Sequence, residues 1–313
     1  MVSTRARTAQ PVAVTPEERP KKRAKVSTAR RPARPEPTSS EVESPVESSE
    51  DLKEAQPAVE PISQDQINQG EETPEAVEAR RRNIGKHYSP GDGQLDYTLT
   101  EPEPFRDPVS LEFVFPDHPR FKPNLSPQEI IRRGAFDGGY FRPVQSQKTG
   151  RELHEDWNDL PFDHWLKGLD TSMYLTRPEG EFKDSVNHWK AFVGQNYNEW
   201  EKNGWIREEF DSRGWFQWYC RFWRGRRCED DERQIGRWDR IAGEASGRWR
   251  RILLEKYRKQ GISFVEPREE EVSPGIRQTL NHWAFDPTTE ALNRFREEKG
   301  DLVADEDADE NSE

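Results

Sequence analysis

Seven arginines lie close together in the middle of the chain, and their side chains are the best suited to chemistry in this sequence. A guanidinium group presents N–H donors in a planar fork that fits phosphate and carboxylate groups. On a helix the last three arginines recur at i, i+4 and i+7, which places them on one face. We therefore expect a basic surface that binds an anionic partner, formed by Arg221, Arg224, Arg226, Arg227, Arg233, Arg237 and Arg240.

The same arginines have a second interpretation, in which they stabilise the fold. Residues 205–260 contain fifteen Lys/Arg and ten Asp/Glu, so nearby carboxylates are plentiful. The carboxylates of residues 229–232 and of Asp239 are close in sequence and could pair with the guanidinium groups. Exposed pairs of this kind contribute little to stability. The sequence leaves both interpretations open.

Residues 154–164 form a second polar cluster, which contains His154, Asp163 and His164. Such side chains act as general acids and bases or bind metal ions when further groups converge on them. The sequence shows no such groups. We expect a solvated loop whose larger apolar side chains pack in the core: Trp157, Leu160, Phe162 and Trp165.

The two cysteines, Cys220 and Cys228, supply only two of the four ligands that a zinc site needs. We therefore expect no metal and no cofactor. The N-terminal residues lack the apolar core of a secretory signal, so both thiols are expected to be reduced. No stretch approaches the length of a membrane span.

A helix within residues 211–225 has to position the arginines. Gly225 can adopt the left-handed conformation that ends a helix. Gln217, Arg221 and Arg224 fall on the side opposite to the aromatic residues, and we expect that side to be exposed. The aromatic residues form one continuous face: Trp215, Trp218, Tyr219, Phe222 and Trp223.

Local patterns predict further elements. Ser126 followed by Glu129 is a capping box, which marks the start of a helix. Residues 137–139 predict a turn in an extended or hairpin element, and residues 182–194 a pair of strands. Further helices are expected to begin near Asn196, Asp230, Ser246, Ser273 and Asp286. The helix after Ser246 is expected to turn four basic residues outward: Arg248, Arg251, Arg258 and Lys259.

The composition indicates one folded region between long tails. Hydrophobic residues make up 31% of the chain, and all eleven tryptophans lie between Trp157 and Trp283. Flanks so poor in apolar residues cannot offset the entropy of ordering. We expect a mainly α, single irregular Trp-rich helical domain with minor β structure in residues 125–285. Around it we expect disordered residues 1–100 (basic, then acidic), a Pro-rich lead-in 101–124, a weak helix 286–300 and an acidic disordered tail 301–313.

The net charge of −12 is concentrated in the tails, because residues 126–283 carry 27 basic and 27 acidic residues. Lys21, Lys22, Arg23 and Lys25 resemble a monopartite nuclear import signal, which predicts a nuclear import receptor as a partner and a location in the nucleus. A generic basic tail is the alternative. The seven acidic residues of 301–313 could occupy the arginine surface.

Four segments of the chain resemble an uncharacterised protein family of filamentous fungi, whose members often carry the label vegetative cell wall protein. This sequence gives that label no support. The resemblance covers roughly residues 125–283, although the family has a Gly-Thr pair where residues 137–139 stand here. It implies the limits of the domain and supplies no catalytic residues. The segments are residues 134–143, 200–206, 214–222 and 230–238.

These observations favour a nuclear interaction module that binds nucleic acid or a chromatin-associated protein through an Arg-rich helical face. The alternative is a structural or scaffold protein that uses its charged flanks and binds no nucleic acid. An enzyme is the third possibility, and it would need a pocket that joins His154, Asp163 or His164 to another polar group.

Overall fold

The computed structural model describes residues 73–91, 93–180, 185–265 and 272–301. About 39% of the described residues are helical and 7% are in strands, which confirms the mainly α class with minor β structure. The predictions for the import signal and for the acidic residues 302–313 lie outside the described residues. The α-helices of the described part are α1 (Pro74–Arg81), α2 (Pro127–Arg132), α3 (Phe162–Trp165), α4 (Thr171–Tyr174), α5 (Tyr197–Lys202), α6 (Trp215–Trp223), α7 (Asp231–Ala242), α8 (Arg248–Lys259), α9 (Pro274–His282) and α10 (Thr289–Glu298).

The strands of the described residues are two residues long and form three antiparallel pairs. The first two pairs lie before α2, and the third is a hairpin whose turn is the one formed by residues 146–151. The pairs are β1 (His87–Tyr88) with β2 (Tyr97–Thr98), β3 (Phe105–Arg106) with β4 (Phe113–Val114), and β5 (Val144–Gln145) with β6 (Glu152–Leu153).

Helix α6 lies at the centre of the core, and eight of its nine residues are buried. Its aromatic face packs in the main core cluster, as the spacing of the tryptophans predicts. The opposite face was expected to be exposed, and this was wrong, since Gln217 and Arg221 are both 0% exposed. Gly225 follows the helix with a φ of 101°, which confirms the predicted end.

The Pro-rich lead-in belongs to the core. The Phe121 ring lies 5.1 to 6.4 Å from the rings of Trp215, Trp218 and Trp238 in edge-to-face geometry. Aromatic rings prefer this arrangement because the positive edge of one ring meets the negative face of another. Residues at the far end of the chain also contribute, through Leu292 and Phe295 of α10. The core is therefore wider than the predicted domain of residues 125–285.

Several predicted helix starts are present in the structure. Ser126 and Glu129 form both hydrogen bonds of the capping box at the start of α2. Asn196 caps α5 through its side chain. Helix α7 begins at Asp231 and buries Ile235, Trp238 and Ala242, which the spacing of its apolar residues anticipated.

Two local predictions were wrong. Residues 185–194 of the expected strand pair form turns without a strand. Residues 135–138 form a 3₁₀ turn, in which Phe136 and Asp137 have φ values of 55° and 56°. Gly138 is needed there, because an added Cβ would clash with the carbonyl oxygen of Met173. Tight backbone packing, which local propensity does not report, determines this turn.

Helices α7 to α10 form the C-terminal part of the described chain. Helix α8 packs against α7, α9 and α10. Its buried side chains include Leu253, Leu254 and Tyr257, which line the side that faces its neighbours. Apart from Arg250, its charged residues are partly or fully exposed, and several of them form one of the surfaces described next.

Candidate nucleic-acid interface

Three of the seven arginines proposed for a binding surface lie inside the fold. Arg221, Arg224 and Arg226 are 0%, 7% and 2% exposed. The expectation that they line a surface was therefore wrong. Helical spacing separates the polar from the aromatic side of α6, but it does not show whether the polar side meets water or other parts of the chain.

Aspartate carboxylates hold two of these arginines, while Arg224 donates to the backbone carbonyl oxygen of Asp159 and, at 2.6 Å, to the hydroxyl of Tyr88. Asp211 binds two of them, with Oδ1 3.1 Å from Nη1 of Arg221 and Oδ2 2.7 Å from Nη2 of Arg226. Asp159 accepts a 2.8 Å hydrogen bond from Nε of Arg221. Burial is the largest single influence on the pKa of Arg226 and lowers it, but the nearby negative groups, with Asp211 first among them, together outweigh burial and raise it. Asp211 therefore neutralises two buried cations.

The polar side of α6 also fixes the segment before it. Gln217 accepts a 3.0 Å hydrogen bond from the backbone N–H of Arg213 and donates one of 3.2 Å to the carbonyl oxygen of Asp156. Arg213 in turn forms a bidentate pair with Asp156, at 2.7 and 2.8 Å. Side chains that satisfy one another in this way determine the fold, and a ligand cannot reach them.

Arg227 lies between the interior and the surface. Its Nε is 2.5 Å from Oδ2 of Asp117, and its guanidinium carbon lies 3.9 Å from the centre of the Phe222 ring. Both contacts hold the side chain against the protein. We therefore assign Arg227 to the structural group.

The remaining arginines lie on one side of α7, as their spacing predicts. Arg233 forms a bidentate pair with Asp230, at 2.5 and 2.6 Å. Arg207 also reaches Asp230, at 3.3 Å. Arg240 is exposed and has no carboxylate within ion-pair distance in the described part of the chain. Two arginines thus share one carboxylate, which leaves this side of the helix positively charged.

Arg237 has the most unusual surroundings of this group. Its guanidinium carbon lies 5.5 Å from the centre of the Trp205 ring and 5.3 Å from that of Trp283. It donates hydrogen bonds to the Trp205 carbonyl oxygen at 3.3 Å and to Oε1 of Gln234 at 2.9 Å, but meets no carboxylate of the described residues. Burial lowers its pKa to about 10, and the neighbouring Arg233 adds to this effect. Among the residues that the structure describes, this charge therefore has no counterion.

Trp205, Arg233, Arg237 and Arg240 together form what we call the α7 surface. Trp205 is 38% exposed, so part of its ring is open to a ligand. An indole next to a guanidinium plane can stack on a nucleobase, while the exposed arginine binds phosphate. Residues 126–283 are neutral overall, so this surface is a local excess of positive charge, as the counts for residues 205–260 indicated.

A second basic surface was not among the proposed site residues. A cleft of about 630 Å³ lies between α8 and α10, with Ile252 and Phe295 among the side chains that line it. Its other lining residues are five basic and one acidic: Arg251, Lys256, Arg258, Lys259, Lys299 and Glu255. The helical spacing after Ser246 already placed several of these residues outward.

The groups suggested for acid–base or metal chemistry do not form a site in the described residues. His154, Asp163 and His164 are all exposed. The described part of the chain contains no group of three or more His, Cys, Asp or Glu side chains arranged to hold a metal ion. Burial raises the pKa of Cys228 to about 12 and that of Cys220 well above its usual value, which makes both thiols poor nucleophiles.

Comparison with known proteins does not assign this chain to a family. No protein-family model matches the chain, and no curated protein or solved structure is significantly similar to it. None of the described helices is long and apolar enough to cross a lipid bilayer. The function has to be argued from the two basic surfaces.

Proposed function

We propose that this protein is a nuclear interaction module that binds single-stranded nucleic acid through the α7 surface. The observation that carries the proposal is Arg237, which lies against two indole rings without a carboxylate partner in the described residues. A half-buried cation without a counterion is costly, and a bound phosphate would remove that cost. The proposal retains Arg233, Arg237 and Arg240 from the predicted set.

Arg250 is a second arginine that has no carboxylate partner among the described residues. Arg250 lies over the Phe285 ring at 4.4 Å, and burial lowers its pKa to about 10 as well. Arg250 is only 2% exposed, however, so a ligand cannot reach it. Arg237 combines an unneutralised charge with access from the solvent, and that combination favours a binding role.

Nucleic acid fits this surface better than an acidic peptide does. Carboxylate side chains need only cations, whereas a base needs a flat partner. The partly exposed Trp205 ring supplies that partner beside the Arg237 guanidinium. Stacking of one base on an aromatic side chain contributes about 1–3 kcal/mol. The location in the nucleus rests on Lys21, Lys22, Arg23 and Lys25, which lie outside the described residues.

Binding of a labelled single-stranded oligonucleotide to the full chain at low salt tests the proposal. Arg237→Gln/Arg240→Gln and Trp205→Ala should each weaken binding roughly five-fold or more, since each removes a phosphate or stacking contact. The matched control is Arg81→Gln/Arg82→Gln, which removes the same charge from two exposed residues at the C-terminal end of α1.

Three outcomes are informative. Loss of binding in the α7 variants alone supports the proposal. If the control pair weakens binding equally, the effect comes from the net charge of the protein alone, and the proposal is contradicted. No binding by the unmodified chain at low salt would favour a protein partner or a scaffold role.

A further inference from the structure

The cleft between α8 and α10 already binds carboxylates of its own chain. Arg251 holds Glu298 in bidentate geometry, with N–O distances of 2.6 and 2.9 Å. Arg258 holds Asp301, at 3.1 and 3.2 Å from Nη1 to the two carboxylate oxygens. Asp301 is the last described residue. The acidic segment that follows it therefore starts at the edge of a basic cleft.

Helix α8 has more positive charge than its neighbours neutralise. The helix contains six basic residues and one acidic residue, and the buried Arg250 is the only basic one that points inward. Lys256 and Lys259 are exposed. Lys259 lies 3.4 Å from Glu255, a carboxylate that also binds Arg258, and Lys256 donates to the hydroxyl of Ser273. These two lysines can accept further carboxylates.

The sequence of residues 302–313 is complementary to the cleft, because apolar side chains come first and carboxylates follow them. Leu302 and Val303 come directly after Asp301, and six acidic residues follow them: Asp305, Glu306, Asp307, Asp309, Glu310 and Glu313. The cleft is lined by the partly exposed Ile252 among its basic side chains, whereas Phe295, which is 6% exposed, belongs to the core beneath it. An apolar pair followed by carboxylates complements such a surface.

The segment is also long enough. Helix α8 has 12 residues, so it is roughly 18 Å long at 1.5 Å per residue. Five residues beyond Asp301 in extended conformation span up to roughly 17 Å, which reaches from Arg258 along most of the helix. Because the segment is tethered, its effective concentration at the cleft is on the order of millimolar.

We propose that residues 302–310 bind in the α8–α10 cleft of their own chain. Leu302 and Val303 cover Ile252, while Asp305, Glu306 and Asp307 pair with Lys256 and Lys259. The acidic segment thereby neutralises the α8 surface and leaves the α7 surface open. This differs from the expectation that the tail covers the arginines of α6 and α7, and it does not depend on nucleic-acid binding.

A fluorophore on Ala308→Cys of the full chain, in a Cys228→Ser background, tests the contact through its anisotropy. At low salt the dye should rotate slowly with the protein, and molar salt should release it. Lys256→Glu/Lys259→Glu should release it at low salt, and so should Asp305→Lys/Asp307→Lys. Combining the two pairs of changes should restore slow rotation, because opposite charges face each other again.

Two controls make the outcome decisive. Arg81→Glu/Arg82→Glu makes the same change of charge at the C-terminal end of α1 and should leave the anisotropy unchanged. Thermal melting confirms that each variant is folded. Leu302→Ser/Val303→Ser should release the dye if the apolar contact exists. If the anisotropy of Lys256→Glu/Lys259→Glu at low salt is as high as that of the unmodified chain, the proposal is wrong. A dependence on protein concentration would also overturn it, since the segment would then bind a second copy.

Discussion

Helices α6 and α8 both carry arginines on an amphipathic helix, but they use them in opposite ways. Arg221 of α6 is completely buried and is held by Asp159 and Asp211. Arg251 of α8 is partly exposed and is held by the exposed Glu298. Both pairs have N–O distances of about 3 Å or less. Distance alone therefore does not separate them.

The difference between the two helices lies in the surroundings of the carboxylates. The aspartates around α6 are removed from water, so loss of one leaves a bare charge inside the protein. The carboxylates around α8 remain in water, which replaces them at little cost. Buried pairs hold the fold together, whereas exposed pairs can be exchanged for those of a ligand. The predictions below test this difference, from the largest expected effect to the smallest.

Asp211→Asn should have one of the largest effects on stability. The change keeps the size of the side chain but leaves Arg221 and Arg226 without their shared carboxylate. We expect the free energy of unfolding to fall by about 3–5 kcal/mol, as for other broken buried ion pairs. Chemical denaturation measures it, and a loss below about 1 kcal/mol, the range of exposed pairs, would contradict the interior role.

Trp218→Ala tests the aromatic side of α6, and Gln217→Ala tests the polar side. Trp218 is 0% exposed, so its removal should cost about 3–5 kcal/mol through the cavity it leaves. Gln217 was expected to be exposed and nearly neutral to replace. In the structure it satisfies two buried backbone groups, so we now expect a loss of about 1–3 kcal/mol. Chemical denaturation of both variants measures these losses in the free energy of unfolding. A loss near zero for Gln217→Ala would mean that the polar side of α6 is exposed.

His282 predicts a pH dependence of stability. Burial lowers its pKa to about 3, and its Nε2 accepts hydrogen bonds from the Phe136 N–H and the Gln278 amide. Between pH 6.5 and 3 the unfolded chain therefore binds a proton that the folded chain does not. Stability should fall on acidification through this window, by at most roughly 1.4 kcal/mol per pH unit.

The control for this prediction is His282→Gln, which keeps an acceptor for the Phe136 N–H but does not titrate. Its free energy of unfolding should depend less on pH between 6.5 and 3 than that of the unmodified protein. Identical pH profiles for the two proteins would show that His282 does not stay neutral in the folded state.

Glu298→Gln should have the smallest effect. The Arg251–Glu298 pair is partly exposed, with side-chain exposures of 28% and 48%. We expect only a small loss of stability, and a smaller one at high salt, because water and salt ions screen this pair. Thermal or chemical denaturation at two salt concentrations measures it. A loss as large as that of Asp211→Asn would remove the distinction between the two helices.

Local sequence patterns were sufficient where the forces are local. The capping box of Ser126 and Glu129 is complete in the structure because its hydrogen bonds join residues three positions apart. The apolar spacing of α7 identified Ile235 and Trp238 correctly, since one helix face meets the core. Gly225 ends α6 because the left-handed conformation there suits glycine.

Prediction from the sequence failed where the surroundings of a side chain are formed by residues far away in the chain. Arg221 binds Asp159, which lies 62 positions away, and Tyr219 donates to the carbonyl oxygen of Leu125. Phe121 packs at the centre of the aromatic cluster, although it belongs to the Pro-rich lead-in that was expected to lie outside the domain. No helical periodicity reports such contacts. The position of the α7 arginines on one face of the helix was predicted. Only the structure shows that Arg237 has no carboxylate partner among the described residues.

The salt dependence of oligonucleotide binding tests the central claim most directly, because it measures how many phosphates the arginines neutralise. The logarithm of the binding constant should fall linearly with the logarithm of salt concentration. Arg237→Gln/Arg240→Gln should reduce that slope by about 1.4, or roughly 0.7 for each lost phosphate contact with a single strand. Arg81→Gln/Arg82→Gln should leave it unchanged. Equal slopes for the unmodified protein and the α7 variant would contradict the assignment of the α7 surface.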